Sequence, residues 1–164
     1  MVLRIFPRTV TKLMVAAAVA LLVLAAPAGA AGPPQQGSGK GEITIADIEF
    51  VREAGGNSIQ NREIHGMVTG TLEGEFVQEV RGVVHPNGHV TFQGTMTFTG
   101  TVGECGEGTV TLGLTGRGEA GEFPITESRV QPIRQAANDV AVTGQGTVSQ
   151  TGPFITYELQ YVCR

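Results

Sequence analysis

Through the middle of the chain, over residues 71–116, apolar residues alternate with threonine, and glycine occurs at almost every turn. In the clearest run the apolar side chains are Val90, Phe92, Met96, Phe98 and Val102, and threonine occupies most of the positions between them. A period of two residues is typical of a β-strand with one buried face and one solvated face. The pattern therefore predicts an all-β protein.

Glycine- and asparagine-rich turns divide the chain into eight predicted strands. They begin near residues 42, 59, 75, 89, 107, 122, 142 and 154. Eight antiparallel strands joined by short turns close into a barrel, which leaves no exposed sheet edge. Inward glycines at positions 82, 94 and 100 suit the tight curvature of a barrel. An open sandwich of two sheets is the alternative.

The turn His85-Pro86-Asn87-Gly88 has the composition of a type I turn followed by a glycine bulge. Such a three-residue loop places Gln78 opposite Met96, and Phe76 opposite Phe98. The inner face of this hairpin is then apolar or glycine everywhere except at Gln78. A two-residue turn at Asn87-Gly88 would instead bring charged side chains onto the same face, so we reject that register.

The turn Leu72-Glu73-Gly74-Glu75 has two readings. A three-residue loop places Ile64, Gly66, Val68 and Gly70 inside, whereas a two-residue turn places His65, Met67 and Thr69 inside. We favour the first because its inner face is more apolar. The choice decides whether His65 lines the interior.

Residues 1–30 have the pattern of a secretory signal peptide: three basic residues, 14 consecutive apolar residues and a small-residue site at Ala28-Gly29-Ala30. Fourteen residues are fewer than the ~20 that a spanning helix needs. We expect cleavage after Ala30, with an uncleaved anchor as the alternative. Residues 31–41, rich in proline, glycine and glutamine, are predicted to be a flexible linker, and residues 42–164 the barrel domain.

The charge of the chain restricts its partners. Three of the 11 basic residues and none of the 15 acidic residues lie in the signal, so the exported chain has a net charge of −7. Lys40 is its one lysine. Nucleic acid and anionic membranes both require clustered basic residues, so we expect neither as a partner after the signal is removed.

Cys105 and Cys163 are the two cysteines of the chain. An even number in an exported protein favours a disulfide bond. In an up-and-down barrel, the turn after the fourth strand and the end of the eighth lie at the same rim, which places these two residues together. Free thiols or intermolecular bonds are the alternatives. No CxxC or histidine spacing indicates zinc.

No motif of a hydrolase, a nucleotide-binding protein or a zinc protease occurs in the chain, and we expect no cofactor. His85 and His89 face each other beside a turn, but two imidazoles are too few for a metal site. Glu127 and Arg129 share the parity of Phe123 and Ile125 and are expected to point inward. We favour a structural ion pair, with a catalytic role as the alternative.

The inner face supplies a candidate ligand-binding wall, consisting of Phe76, Gln78, Phe92, Met96, Phe98 and Tyr157. Barrel mouths are common ligand sites. Gln78 would be the polar anchor, since a buried amide must find a partner. That partner is a ligand, a trapped water or Glu127.

Three segments, Gly70-Thr71-Leu72-Glu73-Gly74-Glu75, the run from Phe92 to Thr101 and Val142-Thr143-Gly144-Gln145-Gly146-Thr147, resemble the allene-oxide-cyclase-like barrel superfamily, and most closely its small secreted bacterial members. The resemblance implies an eight-stranded barrel with an apolar cavity. Its enzymes fold a hydrophobic substrate for cyclisation, but their polar catalytic groups have no assignable counterparts here. The leading hypothesis is therefore a secreted protein that binds a small apolar molecule. The alternatives are a cyclase or isomerase and a structural or interaction module.

Overall fold

The computed structural model describes residues 32–121, 124–134 and 136–164. Eight antiparallel strands form a closed barrel in sequence order, with the last strand paired to the first. The prediction of a barrel rather than an open sandwich is confirmed. The predicted signal peptide lies outside the described residues.

The strands follow the predicted order. They are β1 (Gln35–Ala54), β2 (Asn57–Gly70), β3 (Leu72–Val84), β4 (His89–Val102), β5 (Glu107–Glu119), β6 (Ile125–Pro132), β7 (Val142–Thr151) and β8 (Phe154–Cys163). A one-turn 3-10 helix, Gly103–Cys105, joins β4 to β5.

The β3–β4 hairpin has the predicted register. Phe76 pairs with Phe98, Gln78 with Met96, and so on to the end of the hairpin. The His85 N–H donates to the His89 carbonyl at 2.8 Å, and Gly88 has a positive φ of 84°. The glycine at this position is required because other residues rarely adopt that conformation.

The inner face of β2 is also the predicted one, although its turn lies elsewhere. Gly66 pairs with Phe76 and Val68 is buried, whereas Met67 is exposed. The turn is centred on Thr71 rather than on residues 72–75, since Leu72 already begins β3. His65 therefore faces outward.

The prediction that residues 31–41 form a flexible linker is corrected by the structure. Residues 35–41 belong to β1 and pair with β8, so ordered structure begins before Glu42. Their glycines explain how a segment without apolar side chains joins a barrel. A Cβ on Gly39 would overlap the Tyr157 ring, and one on Gly41 would overlap the Met67 carbonyl oxygen. Backbone pairing and close approach replace side-chain burial here.

The two ends of the barrel differ. At the end that we call the capped end, Ile133 and Asp139 donate backbone hydrogen bonds to the edge of β5, and Val140 is buried in the core. The 3-10 helix lies at the same end, where the Gly103 N–H donates to the Thr71 carbonyl at 2.7 Å. At the other end, which we call the open end, the described chain consists of the turns that join β1–β2, β3–β4, β5–β6 and β7–β8.

Candidate functional site

The disulfide bond is present at the capped end. Cys105 and Cys163 are bonded, with their Cα atoms 5.1 Å apart and a sequence separation of 58. The bond ties the β4–β5 connection to the end of β8, as the meander topology predicted. Its role here is structural, because it holds together elements that are distant in sequence.

Most of the expected ligand wall is packed core. Phe76, Met96, Phe98 and Tyr157 are all less than 10% exposed and belong to one cluster of buried side chains. The interior space beside Phe98 has a volume of about 50 Å³. One water occupies ~30 Å³ of liquid, whereas pockets for small molecules reach ~300 Å³ or more. The middle of the barrel is therefore filled by its own side chains.

Gln78 has a partner within this core. Its Nε2 lies 3.6 Å from the Met96 sulfur, which is a weak acceptor.

The expectation that Glu127 and Arg129 point inward is wrong. The inward residues of β6 are Thr126, Ser128 and Val130, because the β5–β6 register pairs Val130 with Leu114 and Ser128 with Gly116; Glu127 and Arg129 are exposed.

Tyr157 links β8 to the turn between β2 and β3. Its hydroxyl accepts a hydrogen bond from the Leu72 N–H at 2.7 Å and lies 3.1 and 3.2 Å from the carbonyl oxygens of Leu72 and Thr69. Burial raises the pKa of the phenol, and the hydrogen bond from Leu72 lowers it by less. The hydroxyl is thus a buried structural bridge.

The open end has a different character. β1 pairs with β8 only as far as Glu42, and beyond that residue its pairing is with β2 alone. The β1–β2 hairpin therefore projects past the β7–β8 turn. Ile48 and Phe50 lie on the inner face of the hairpin and are 57% and 58% exposed.

Arg62 is the cross-strand neighbour of Ile48 on this inner face. Its guanidinium donates from Nη2 and Nε to the Gln60 side-chain oxygen, at 2.8 and 3.2 Å. Within the described part of the chain it forms no salt bridge. Burial lowers the pKa of the guanidinium, since a partly desolvated cation lacks its full hydration.

Glycines leave room around these side chains. A Cβ on Gly82 would lie 3.5 Å from the Arg62 Nε, so the guanidinium extends over a residue that has no side chain. On the next strand, Phe92 pairs with both Gly82 and Gly116 and is only partly buried. Of the expected ligand-binding aromatic residues, Phe92 is thus the one that faces the open end.

A depression of about 980 Å³ lies on the outside of the barrel. Polar side chains of the solvated strand faces line much of it, among them Arg81, Gln93 and Arg129. A surface of this kind is normally hydrated, and it offers no apolar site. The open end is therefore the stronger candidate.

The other candidate chemistry is dispersed over the outer surface. His65 lies 2.7 Å from a Glu63 carboxylate oxygen, and His85 lies 2.9 Å from the Asn57 side-chain oxygen. Among the described residues, no three His, Cys, Asp or Glu side chains are grouped so that they could hold a metal ion. The buried polar side chains of the described chain are Thr126 and Ser128, and neither is a carboxylate.

Ile48, Phe50 and Arg62 are site residues that the sequence analysis did not single out. The alternation along β2 contained the signal for Arg62, because counting back from Val68 through Gly66 and Ile64 places it on the inner face. It is the position at which that face stops being apolar. The exposure of Ile48 and Phe50 depends on where the pairing of β1 with β8 stops, at Glu42. The apolar pattern within one strand does not give the position of that end.

A scan of protein-family models finds none that matches this chain, and a search of curated proteins finds no match either. In the part of the chain that the structure describes, no helix has the length and hydropathy needed to cross a membrane. Function is therefore argued from the site itself.

Proposed function

We propose that this protein is an exported binding protein that holds one small apolar molecule at the open end of its barrel. The observation that carries the proposal is the exposure of Ile48 and Phe50 on the inner face of the projecting hairpin. Large apolar side chains that are exposed together on one face are typical of binding sites. Phe92, which is partly buried, lies on the inner face of the β3–β4 hairpin with its ring over Gly116 of β5.

The open end is favoured over the interior because of space. The void beside Phe98 holds about 50 Å³, so a ligand in the middle of the barrel would have to displace well-packed side chains. A ligand at the open end covers side chains that are already exposed. Burying one exposed phenylalanine contributes about 1.5–3 kcal/mol.

The proposal is tested with 2-naphthylmethanol, an uncharged fluorescent probe, by equilibrium dialysis. Phe50→Ser should weaken binding about tenfold or more, because the probe loses one apolar wall. Phe154→Ser is the matched control, since Phe154 is similarly exposed, at 62%, but faces outward. Equal effects of the two substitutions, or no binding to the wild-type protein, would contradict the proposal.

Export is part of the proposal. The Cys105–Cys163 bond is consistent with an oxidising compartment outside the cytoplasm. We attribute export to a signal peptide cleaved after Ala30. N-terminal sequencing of protein recovered from the culture medium should give a chain that starts at Ala31, and an uncleaved Met1 would contradict this.

The closed eight-stranded antiparallel barrel supports membership of the allene-oxide-cyclase-like superfamily, which stays a proposal. A cyclase or isomerase is the less favoured alternative, because the buried polar side chains of the described residues include no carboxylate that could polarise a substrate. The interaction-module alternative has one observation in its favour. The projecting part of β1 has an unpaired edge among the described residues and exposes Ile45 on its outer face.

A further inference from the structure

We infer that the ligand bound at the open end is an anion, an apolar body that bears one carboxylate, and that the Arg62 guanidinium binds this carboxylate. The inference rests on the proposed function and adds the charge of the ligand. It depends on where Arg62 lies, on which of its donors are used and on what surrounds it.

Position is the first step. The described inner-face residues of β2 below Arg62 are Ile64, Gly66 and Val68, and those of β3 beside it are Val80 and Gly82. Arg62 thus brings a positive charge to the point where the apolar part of the β2 inner face ends. Its cross-strand neighbour Ile48 belongs to the exposed apolar surface, so the cation and the apolar surface are adjacent.

Donor usage is the second step. The Gln60 oxygen accepts from Nε and from Nη2, which occupies one edge of the guanidinium. The edge formed by Nη1 and the second Nη2 hydrogen has no hydrogen-bond partner within the described chain. Two parallel N–H groups of this kind match the two oxygens of a carboxylate. Gln60 itself is oriented by Ser58, whose Oγ lies 3.3 Å from the Gln60 Nε2.

The surroundings are the third step. Of the described acidic residues on the same hairpin, Asp47, Glu49 and Glu63 lie on its outer face, opposite to the guanidinium. Glu53 pairs with Ser58 on the inner face, four residues along β2 from Arg62, and forms no salt bridge with it. Burial of this cation without a carboxylate partner carries a desolvation cost. A bound anion offsets that cost, which is why an anion should be preferred over a neutral molecule of the same shape.

The test compares three naphthalene probes of similar size: 2-naphthoate, the neutral 2-naphthylmethanol and the cation 2-naphthylmethylammonium. Wild-type protein should bind 2-naphthoate about 10- to 100-fold more tightly than the alcohol, the range expected for a charge-assisted hydrogen bond. It should bind the ammonium ion more weakly than the alcohol. Affinities are measured by equilibrium dialysis at low salt.

Arg62→Gln should abolish the preference for 2-naphthoate over the alcohol, because it removes the charge that binds the carboxylate. The matched control is Arg81→Gln, because Arg81 lies on the outer face of the neighbouring strand and should not affect the preference. Arg62→Lys retains the positive charge but loses the two parallel N–H donors of the guanidinium, so it should keep only part of the preference for 2-naphthoate. Circular dichroism shows whether Arg62→Gln folds. If it does not, Arg62→Lys tests whether the preference for 2-naphthoate depends on the guanidinium.

The outcomes separate the two proposals. If the alcohol and 2-naphthoate bind the wild-type protein equally well, or if the preference survives Arg62→Gln, the inference about Arg62 is wrong and the apolar site stands. If neither probe binds, both proposals fail. An equal loss of preference in Arg81→Gln would mean that the general charge of the surface, rather than Arg62, attracts the anion.

Discussion

The capped end and the open end are built from the same strands, but their inward side chains meet different surroundings. At the capped end, Val102, Val110 and Val140 are buried, and the disulfide bond lies at the same end. At the open end, Ile48 and Phe50 continue the inner face into solvent. The comparison shows that the inward side chains are buried at one end of the barrel and exposed at the other, where we propose that they form the binding surface.

The largest effect expected from this comparison concerns two phenylalanines. Phe98→Ala should lower the free energy of unfolding by about 3–5 kcal/mol, because it leaves a cavity in a packed core. Phe50→Ala should lower it by less than about 1 kcal/mol, since that side chain is 58% exposed. Urea denaturation of both variants measures the difference. Similar losses would mean that the projecting hairpin is part of the stabilising core.

The disulfide bond should produce the next largest effect. Replacing Cys105 and Cys163 by serine removes a cross-link of 58 residues, worth about 4 kcal/mol on the chain-entropy model. Binding of 2-naphthylmethanol by the folded double variant should not change, because the bond lies at the capped end. Thermal denaturation and equilibrium dialysis check the two parts. A variant of unchanged stability would contradict the structural role, and weakened probe binding would show that the two ends are coupled.

The Tyr157 bridge should have an intermediate effect. Tyr157→Phe removes the acceptor of the buried Leu72 N–H and should cost about 1–3 kcal/mol. Thr156→Ala on the outer face is the control and should cost less than about 0.5 kcal/mol. Urea denaturation at pH 7 distinguishes the two, and equal costs would contradict the bridging role.

The same tyrosine predicts a pH dependence. Because burial raises its pKa in the folded protein, folding favours the neutral phenol. That contribution is fully present below the unfolded pKa of about 10 and is lost as the pH rises through the higher folded pKa. The stability of the wild-type protein should therefore decline more steeply above pH 10 than that of Tyr157→Phe. Parallel declines in urea denaturation from pH 9 to 11 would contradict this assignment.

The smallest effect is expected at Gln78. Its amide contacts only a weak acceptor, the Met96 sulfur, at 3.6 Å. Gln78→Leu should therefore change the free energy of unfolding by less than about 1 kcal/mol and leave probe binding unaltered. Loss of probe binding on this substitution would move the site from the open end into the barrel.

The barrel and its registers could be predicted from the sequence because each depends on local patterns. The type of turn at His85-Pro86-Asn87-Gly88 sets the register of the β3–β4 hairpin, and the alternation of apolar residues along β4 identifies its buried face. The inward direction of Glu127 was predicted wrongly because the parity of Phe123 and Ile125 was taken as the apolar face of β6. Phe123 lies outside the described residues. In the structure Ile125 is exposed.

The candidate site was harder to predict because it depends on where strands end relative to one another. Residues 35–41 were predicted to be a linker because they have no apolar side chains, yet backbone pairing with β8 brings them into the barrel. That pairing ends at Glu42 and leaves the rest of β1 to project. The exposed surface at Ile48 and Phe50 is a consequence of this stagger, which involves strands more than 100 residues apart.

Amide chemical-shift mapping tests the central claim, that the open end is the binding surface, most directly. Titration of the ¹⁵N-labelled protein with 2-naphthylmethanol should shift the amide resonances of residues 47–50, 60–62 and 90–92, and leave those around Cys105 and Val140 unchanged. Shifts concentrated on Phe98, Val102 and Val110 would place the ligand inside the barrel at its capped half and would contradict the account.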